Sequence, residues 1–536
     1  MIKTFKILPQ FHLNNKKQKG AILILFFLII LIIVSSVLVS HLDRSKESVL
    51  ENKIFEDQHN ARVLAEAKAA LLGFAAGYAE THLGQPVGYL ICPDNDGDGS
   101  ADPPCKEKNK SVLGCFPYRT LGTPKLTDYL GNELWYAVSG TYKDNPKQGL
   151  TSDTNGLFQI YDQNNNIKVG SGEIDRAIAI VFIPNQPING QTRGTLDCSK
   201  PENYLDTFNG INNAKGTKSG TISGNSGSEN LPTALPSTFI NSPKTNTFND
   251  QMIWITQNDY IPIYEKMNQW VAKRVQHCLN LYVKSNNEHV PWVADLVIDG
   301  SDLNYKDTKD KLFGHIPLDL SNTSASNSAM KNFWNTDTWL EETYNKIYNK
   351  PIKVADNCAT KSPPCKCFEN NLNDSAGYWG NWWNEWKEMV FIAINEQFVP
   401  NSTNILDNTK NDNLMLDDIP AKFIVFIGGR KLANQSRNIL SYKADYSSYL
   451  ENSGYPMSIA NDNINIFKEL STSKSLYFNK KLNQENNDFA ICTEHPINPF
   501  PPCCDIPPKC CNCTVISSNN NWVCSNQPSM VITKCP

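Results

Sequence analysis

The chain has no excess of charge of one sign. Its 50 lysines and arginines against 54 acids give a net charge of −4, so nothing in the bulk electrostatics would draw it to nucleic acid. Histidine is scarce, with 8 in 536 residues, and none falls in an HExxH pair. A P-loop, a GxSxG elbow and a Rossmann glycine fingerprint are all missing, so no motif supports an enzyme. Acids are also missing from residues 1–20, and charges of either sign from Ala21 to Leu42.

What is present begins with that apolar run. About twenty apolar residues suffice to cross a hydrocarbon core as a helix, so 21–42 has the length of a transmembrane span. Lys3, Lys6, Lys16, Lys17 and Lys19 precede it, which predicts a cytoplasmic N-terminus and export of everything after His41. An ordinary secretory signal would be shorter and end in a small-residue cleavage site. Beyond the run, Leu64, Ala67, Leu71, Phe74 and Tyr78 recur at spacings of three and four, one stripe of an amphipathic helix. No proline or glycine interrupts 43–62, and continuous helix from Ala21 to about Thr81 is expected, roughly 90 Å long.

Basic leader, glycine, apolar helix and amphipathic extension together resemble the class III signal of type IV pilins and type II secretion pseudopilins. The resemblance implies a prepilin peptidase cutting after Gly20, leaving Ala21 as a methylated N-terminus. It also implies other pilin or pseudopilin subunits and membrane lipid as partners of the helix. The family usually carries a glutamate five residues into the mature chain, where this sequence has Leu25. That departure points away from a bulk filament subunit and towards a tip or initiating position.

The stretch CPDNDGDGSADPPC sets Asp94, Asp96 and Asp98 in alternation, then Gly99, with Asp102 following. Alternate carboxylates converge on one hard cation and glycine permits the sharp turn, so calcium is the expected ion, with the Ser100 carbonyl and Asp102 completing the set. Cys105 stands where an EF-hand offers a bidentate glutamate. An Asx/Gly turn pinned by cysteines is the plainer reading of the same residues. Cys92, Cys105 and Cys115 bracket the loop, and a bridge between two of them would pre-form it. With the strand 134–139 and the apolar run 177–183, these pieces also resemble large pilin-like proteins of Gram-negative bacteria.

Residues 208–250 turn to glycine, serine, threonine and asparagine and read as a linker or long surface insertion. A second helix follows, with Ile263, Met267, Trp270, Val271, Arg274 and Cys278 on one face. The earlier order of pieces then repeats. GCFPYRTL (114–121) is echoed by GHIPLDL (314–320), and LWYAVSG by MVFIAINE (389–396). AIAIVFIPNQPINGQTR (177–193) is echoed by FIVFIGGRKLANQSR (423–437). Two copies of one module are expected, separated by insertions. The pairs Gln191/Arg193 and Gln435/Arg437 are expected to hydrogen-bond a loop after the core strand rather than to bind an anion. The tract YWGNWWNEW (378–386) is expected in a core or seam rather than in a sugar site.

Eight of the 16 cysteines fall at the end: Cys492, Cys503, Cys504, Cys510, Cys511, Cys513, Cys524 and Cys535. The tail is proline-rich and poor in large apolar residues, so disulfides are expected to staple it. Zinc is the competing reading, weakened because CC-x5-CC-x-C offers no two clean CxxC knuckles.

The expected fold class is α+β: a long N-terminal transmembrane and amphipathic helix, then two pilin-like helix-plus-antiparallel-sheet modules and a Cys-rich tail. The boundaries are leader 1–20, span 21–42, first module 43–207, linker 208–250, second module 251–485 and tail 486–536. The expected function is a minor pilin or pseudopilin, held in the inner membrane with its bulk periplasmic or at a pilus tip. The alternative is a bitopic envelope protein whose exported domains bind a ligand such as a glycan.

Overall fold

The computed structural model describes residues 51–294 apart from 83–84, 189 and 220–235, and much of 298–317. Further on it describes 385–400, most of 414–437, and the short stretches 448–450, 476–477 and 488–494, with three strands beyond 512. The chain divides into two compact units after Val63, and both sheets and their loops belong to the unit that begins at Leu64.

Helix α1 runs through residues 51–81. Leu64, Ala67, Leu71, Ala75 and Tyr78 are buried at the three-and-four spacing of one helical face. Its other faces carry Glu66, Lys68 and Glu80, so it is a surface helix with one apolar stripe. Helix α2, Ile261–Ser285, buries Ile263, Met267, Val271, Arg274 and Cys278 on one face, with Pro262 in its first turn, where no intrahelical N–H is required.

Strands and the loops that join them make up the rest of the described chain. Strands β1 (Val112–Cys115), β2 (Trp135–Val138), β3 (Ala179–Ile183) and β4 (Gln251–Ile255) form an antiparallel sheet in that order. β3 is buried at every position, as a central strand covered on both faces must be. Leu113, Trp135, Ile180 and Phe182 pack with Phe158, Phe239 and the Cys115 and Cys198 sulfurs into the core. Between β2 and β4 the chain makes a small side sheet, in which Phe158–Tyr161 lies parallel to Ser237–Ile240. The stretch 208–250 thus supplies strands, including the Ile211–Asn212 and Thr217–Lys218 pair.

A second sheet follows α2. Strands β5 (Phe313–His315), β6 (Val390–Ile394), β7 (Ile419–Ile427) and β8 (Phe489–Glu494) pair antiparallel in the same order as β1 to β4, and Met415–Leu416 adds to β7. The registers correspond residue for residue with the sequence echoes. Trp135 faces Phe182 and Val138 faces Ala179; at the echoed positions Phe391 faces Phe426 and Ile394 faces Phe423. Ahead of each first strand lies an isolated antiparallel bridge, Asp94 with Cys115 and Ala294 with His315. Gly114 and Gly314 sit beside these bridges, where a Cβ would come within 2.8 Å of the Asp94 carbonyl and 2.0 Å of the Ala294 carbonyl. The close backbone approach requires glycine in both places.

The expected fold class needs correction. The described residues are sheet-rich, with α1 and α2 as the only long helices among them, and neither is long and apolar enough to cross a membrane. The charges of α1, spread from Glu51 to Lys68 with Glu80 at its end, are the physical reason: each would have to be desolvated in hydrocarbon. The run 21–42, on which the transmembrane helix rested, lies outside the described residues, as do the leader and the site Gly20–Ala21. The single-pass inner-membrane placement, and the periplasmic or pilus-tip location built on it, are not supported, because no helix among the described residues is long and apolar enough to cross a membrane.

Candidate cation loop and the clasp beneath it

Asp94 is fully buried and anchors the acidic loop twice over. Its main chain exchanges hydrogen bonds with Cys115, N to O at 3.0 Å and O from N at 2.8 Å. Its carboxylate then accepts the Gly97 N–H on Oδ1 at 2.7 Å and the Gly99 N–H on Oδ2 at 2.6 Å. Both glycines have positive φ, +85° and +89°, which is why the DGDG spacing folds back on Asp94. At Gly99 a Cβ would also meet the Tyr118 ring at 2.4 Å.

Asp102 closes the loop from the other end. Its Oδ2 accepts the N–H groups of Asn95 at 2.6 Å and Asp96 at 3.2 Å. These bonds bring one oxygen each of Asp94, Asp96 and Asp102 within 4.8 Å of one another. Asp98 does not join them. Its Oδ1 accepts the Ser100 N–H at 2.6 Å, and that bond holds its carboxyl below the usual carboxylate range. Of the four expected carboxylates, three converge and Asp98 is turned to the Ser100 N–H.

Burial pushes the Asp94 carboxyl up, and the neighbouring charges of Asp102 and Asp96 add to the rise against the pull of the two glycine N–H groups. A divalent cation would reverse that repulsion. Oxygen-only donors at this spacing fit a hard ion with ligand distances of roughly 2.3–2.6 Å, the geometry of calcium.

Two disulfides hold the loop. Cys92 joins Cys105 across a sequence separation of 13, enclosing every acid of the loop. The residue in the place of the EF-hand glutamate is therefore a staple. Lys143, buried and pulled down to about 8 by desolvation, donates to the Cys105 carbonyl at 2.5 Å and to the Glu107 carbonyl at 2.6 Å, fixing the far end. Cys115 joins Cys198, a residue the loop sequence gives no reason to choose. A Cβ on Gly97 would lie 3.4 Å from the Cys198 sulfur, so this bridge backs the middle of the loop. Cys278 and Cys492 are also disulfide-bonded. Cys503, Cys504, Cys510, Cys511 and Cys535 lie outside the described residues, and Cys513 and Cys524 are described only as strand positions.

Where the third strand of each sheet ends, an arginine clasps the loop that follows it. Arg193 donates Nε to Asn203 O at 3.1 Å, Nη2 to Gln191 Oε1 at 2.9 Å and to Tyr204 O at 3.2 Å, and Nη1 to Asn185 O. Arg437 makes the same set: Nε to Ser448 O at 2.6 Å, Nη2 to Gln435 Oε1 at 3.1 Å and Tyr449 O at 3.3 Å, Nη1 to Gly429 O at 3.0 Å. Each guanidinium lies over the tyrosine it holds, Tyr204 at 5.1 Å and Tyr449 at 4.5 Å. Of the tryptophan tract, Trp386 is buried and donates Nε1 to Leu150 O at 3.1 Å, joining the two sheets' territories; the tract's positions before Glu385 lie outside the described residues.

No protein-family profile matches this chain, and no curated protein or solved structure does. The resemblance to pilins and pseudopilins is overturned on these findings together with the sheet-rich architecture. It rested on a leader, a glycine, an apolar run and its amphipathic extension, with the acidic loop and two strands added to it, and none of these specifies the sheet order of the described chain.

Proposed function

We propose that the chain is a structural, non-catalytic protein built from two copies of one four-stranded sheet module, the first of which takes a calcium ion in its acidic loop as part of its fold. The observation that carries this reading is the convergence of Asp94, Asp96 and Asp102 within 4.8 Å inside a loop closed by Cys92–Cys105. The second sheet supplies an internal control. It builds the same bridge and the same glycine contact with Ala294 in the place of Asp94, so the carboxylates are not needed to start the sheet. Their concentration in one copy fits a bound cation. Two disulfides around the site fit a compartment where thiols oxidise.

Terbium luminescence tests the reading. Terbium should bind the intact chain, be displaced by calcium, and lose its signal in Asp96→Asn, whose exposed side chain has no structural partner beyond the loop's own Asp98 N–H. Equal luminescence from wild type and Asp96→Asn would refute the site.

A further inference from the structure

The loop after the third strand meets different surroundings in the two halves. In the second half it crosses to the first. Lys431 donates its main-chain N–H to Asp153 Oδ1 at 2.6 Å, and Arg437 donates Nη1 to Asp153 Oδ2 at 2.7 Å. Arg430 donates Nη2 to Ile174 O at 2.8 Å, and Trp386 reaches Leu150 O beside them. Asp153 thus accepts a backbone N–H and a guanidinium N–H from one loop, and the Arg437 side chain is only 7% exposed. Charge-assisted bonds of this kind are about twice as strong as neutral ones.

The clasps align the two loops residue for residue, because Arg193, Gln191 and Asn185 do in one what Arg437, Gln435 and Gly429 do in the other. By that alignment Arg430 and Lys431 correspond to Gln186 and Pro187. Both of these are exposed, glutamine carries no charge, and proline has no N–H to donate. The first copy therefore keeps the clasp and lacks the groups that dock.

We propose that the face formed by Leu150, Asp153 and Ile174 is a docking surface for a second copy of the same module, with Asp153 as its catch. The occupant is this chain's own second module, delivered by α2. That helix begins on the first module, where the Tyr264 and Tyr142 hydroxyls lie 2.7 Å apart. It reaches the second, where Gln276 Nε2 donates to Cys492 O at 2.5 Å. A docking loop of one module on the face of another is a heterologous contact, which in principle continues without closing. Gln186–Pro187 stops the series at two, in the manner of a terminal repeat whose outer face differs from the internal ones.

Hydrogen exchange on the intact chain tests this directly. The Lys431 amide should be protected in the wild type, and Asp153→Ala should speed its exchange about tenfold or more, the loss of one buried bond. Amides of β3 should keep their protection, and small-angle scattering should report a larger radius of gyration as the modules separate. Lys431→Pro, which installs the residue of the first copy, should expand the molecule in the same way. Wild-type exchange at Lys431 as fast as in an open loop would overturn the proposal whatever the variants do. So would unchanged scattering and unchanged exchange over 429–437 in Asp153→Ala with β3 intact.

Discussion

Asp94 and Cys115 are joined by two backbone hydrogen bonds while the side chain of each is committed elsewhere, Asp94 to the loop glycines and Cys115 to Cys198. One pair of residues thus ties the acidic loop to the first strand of the sheet and to the disulfide behind it. Loop, strand and bridge should respond together when any of them is changed.

Removing the Asp94 side chain should therefore be costly with or without a cation. Asp94→Ala leaves the Gly97 and buried Gly99 N–H groups without their acceptor, a loss of about 1–3 kcal/mol for each unsatisfied buried group. Urea unfolding should show this destabilisation in calcium and in chelator alike, whereas Asp96→Asn should differ from wild type in calcium only.

Reduction should weaken the first module through its unfolded state. On the chain-entropy account, the closed loop of Cys92–Cys105 is worth about 3 kcal/mol and the longer Cys115–Cys198 loop about 4–5 kcal/mol. Paired serine replacements measured by denaturant unfolding should rank in that order, the second pair costing more.

The two arginine clasps share their carbonyl contacts, and Arg437 adds the ion pair with Asp153. Arg193→Lys and Arg437→Lys each lose the planar fork that serves three or more carbonyls, a loss of about 2–3 kcal/mol. Both variants should be destabilised in thermal unfolding, Arg437→Lys at least as much as Arg193→Lys; a silent Arg193→Lys would contradict the shared role of the clasp.

The echo of 177–193 in 423–437 was legible because a clasp needs the same Gln-x-Arg at the same distance from the strand wherever it is built. The core strands were legible for a related reason: an unbroken apolar run such as AIVFI suits a strand buried on both faces. The DGDG loop declared itself through alternate acids and glycine. Which of its acids converge was not readable, since whether Asp98 joins the others or accepts the Ser100 N–H depends on the turn geometry. Cys198 and Asp153 were invisible because their partners lie far away in sequence. The pilin resemblance misled because a terminal apolar segment says nothing of the fold beyond it.

Two buried groups should give opposite pH slopes. Burial lowers His315 to about 4, so its contribution is present above pH 6.5 and is lost as pH falls from there towards 4. Burial raises Asp144 to about 6, so its contribution is present below its unfolded value near 4 and is lost as pH rises through 6. Stability measured from pH 4 to 7 should lose its acid-side fall in His315→Gln and its rise towards acid in Asp144→Asn.

A calcium ion held by Asp94, Asp96 and Asp102 should show in the thermal midpoint of the intact chain. An ion bound only by the folded state adds about 2.7 kcal/mol at a hundredfold excess over Kd. A higher Tm in calcium than in chelator is expected for the wild type, and no such difference for Asp96→Asn. A wild-type Tm that is the same in calcium and in chelator would contradict it.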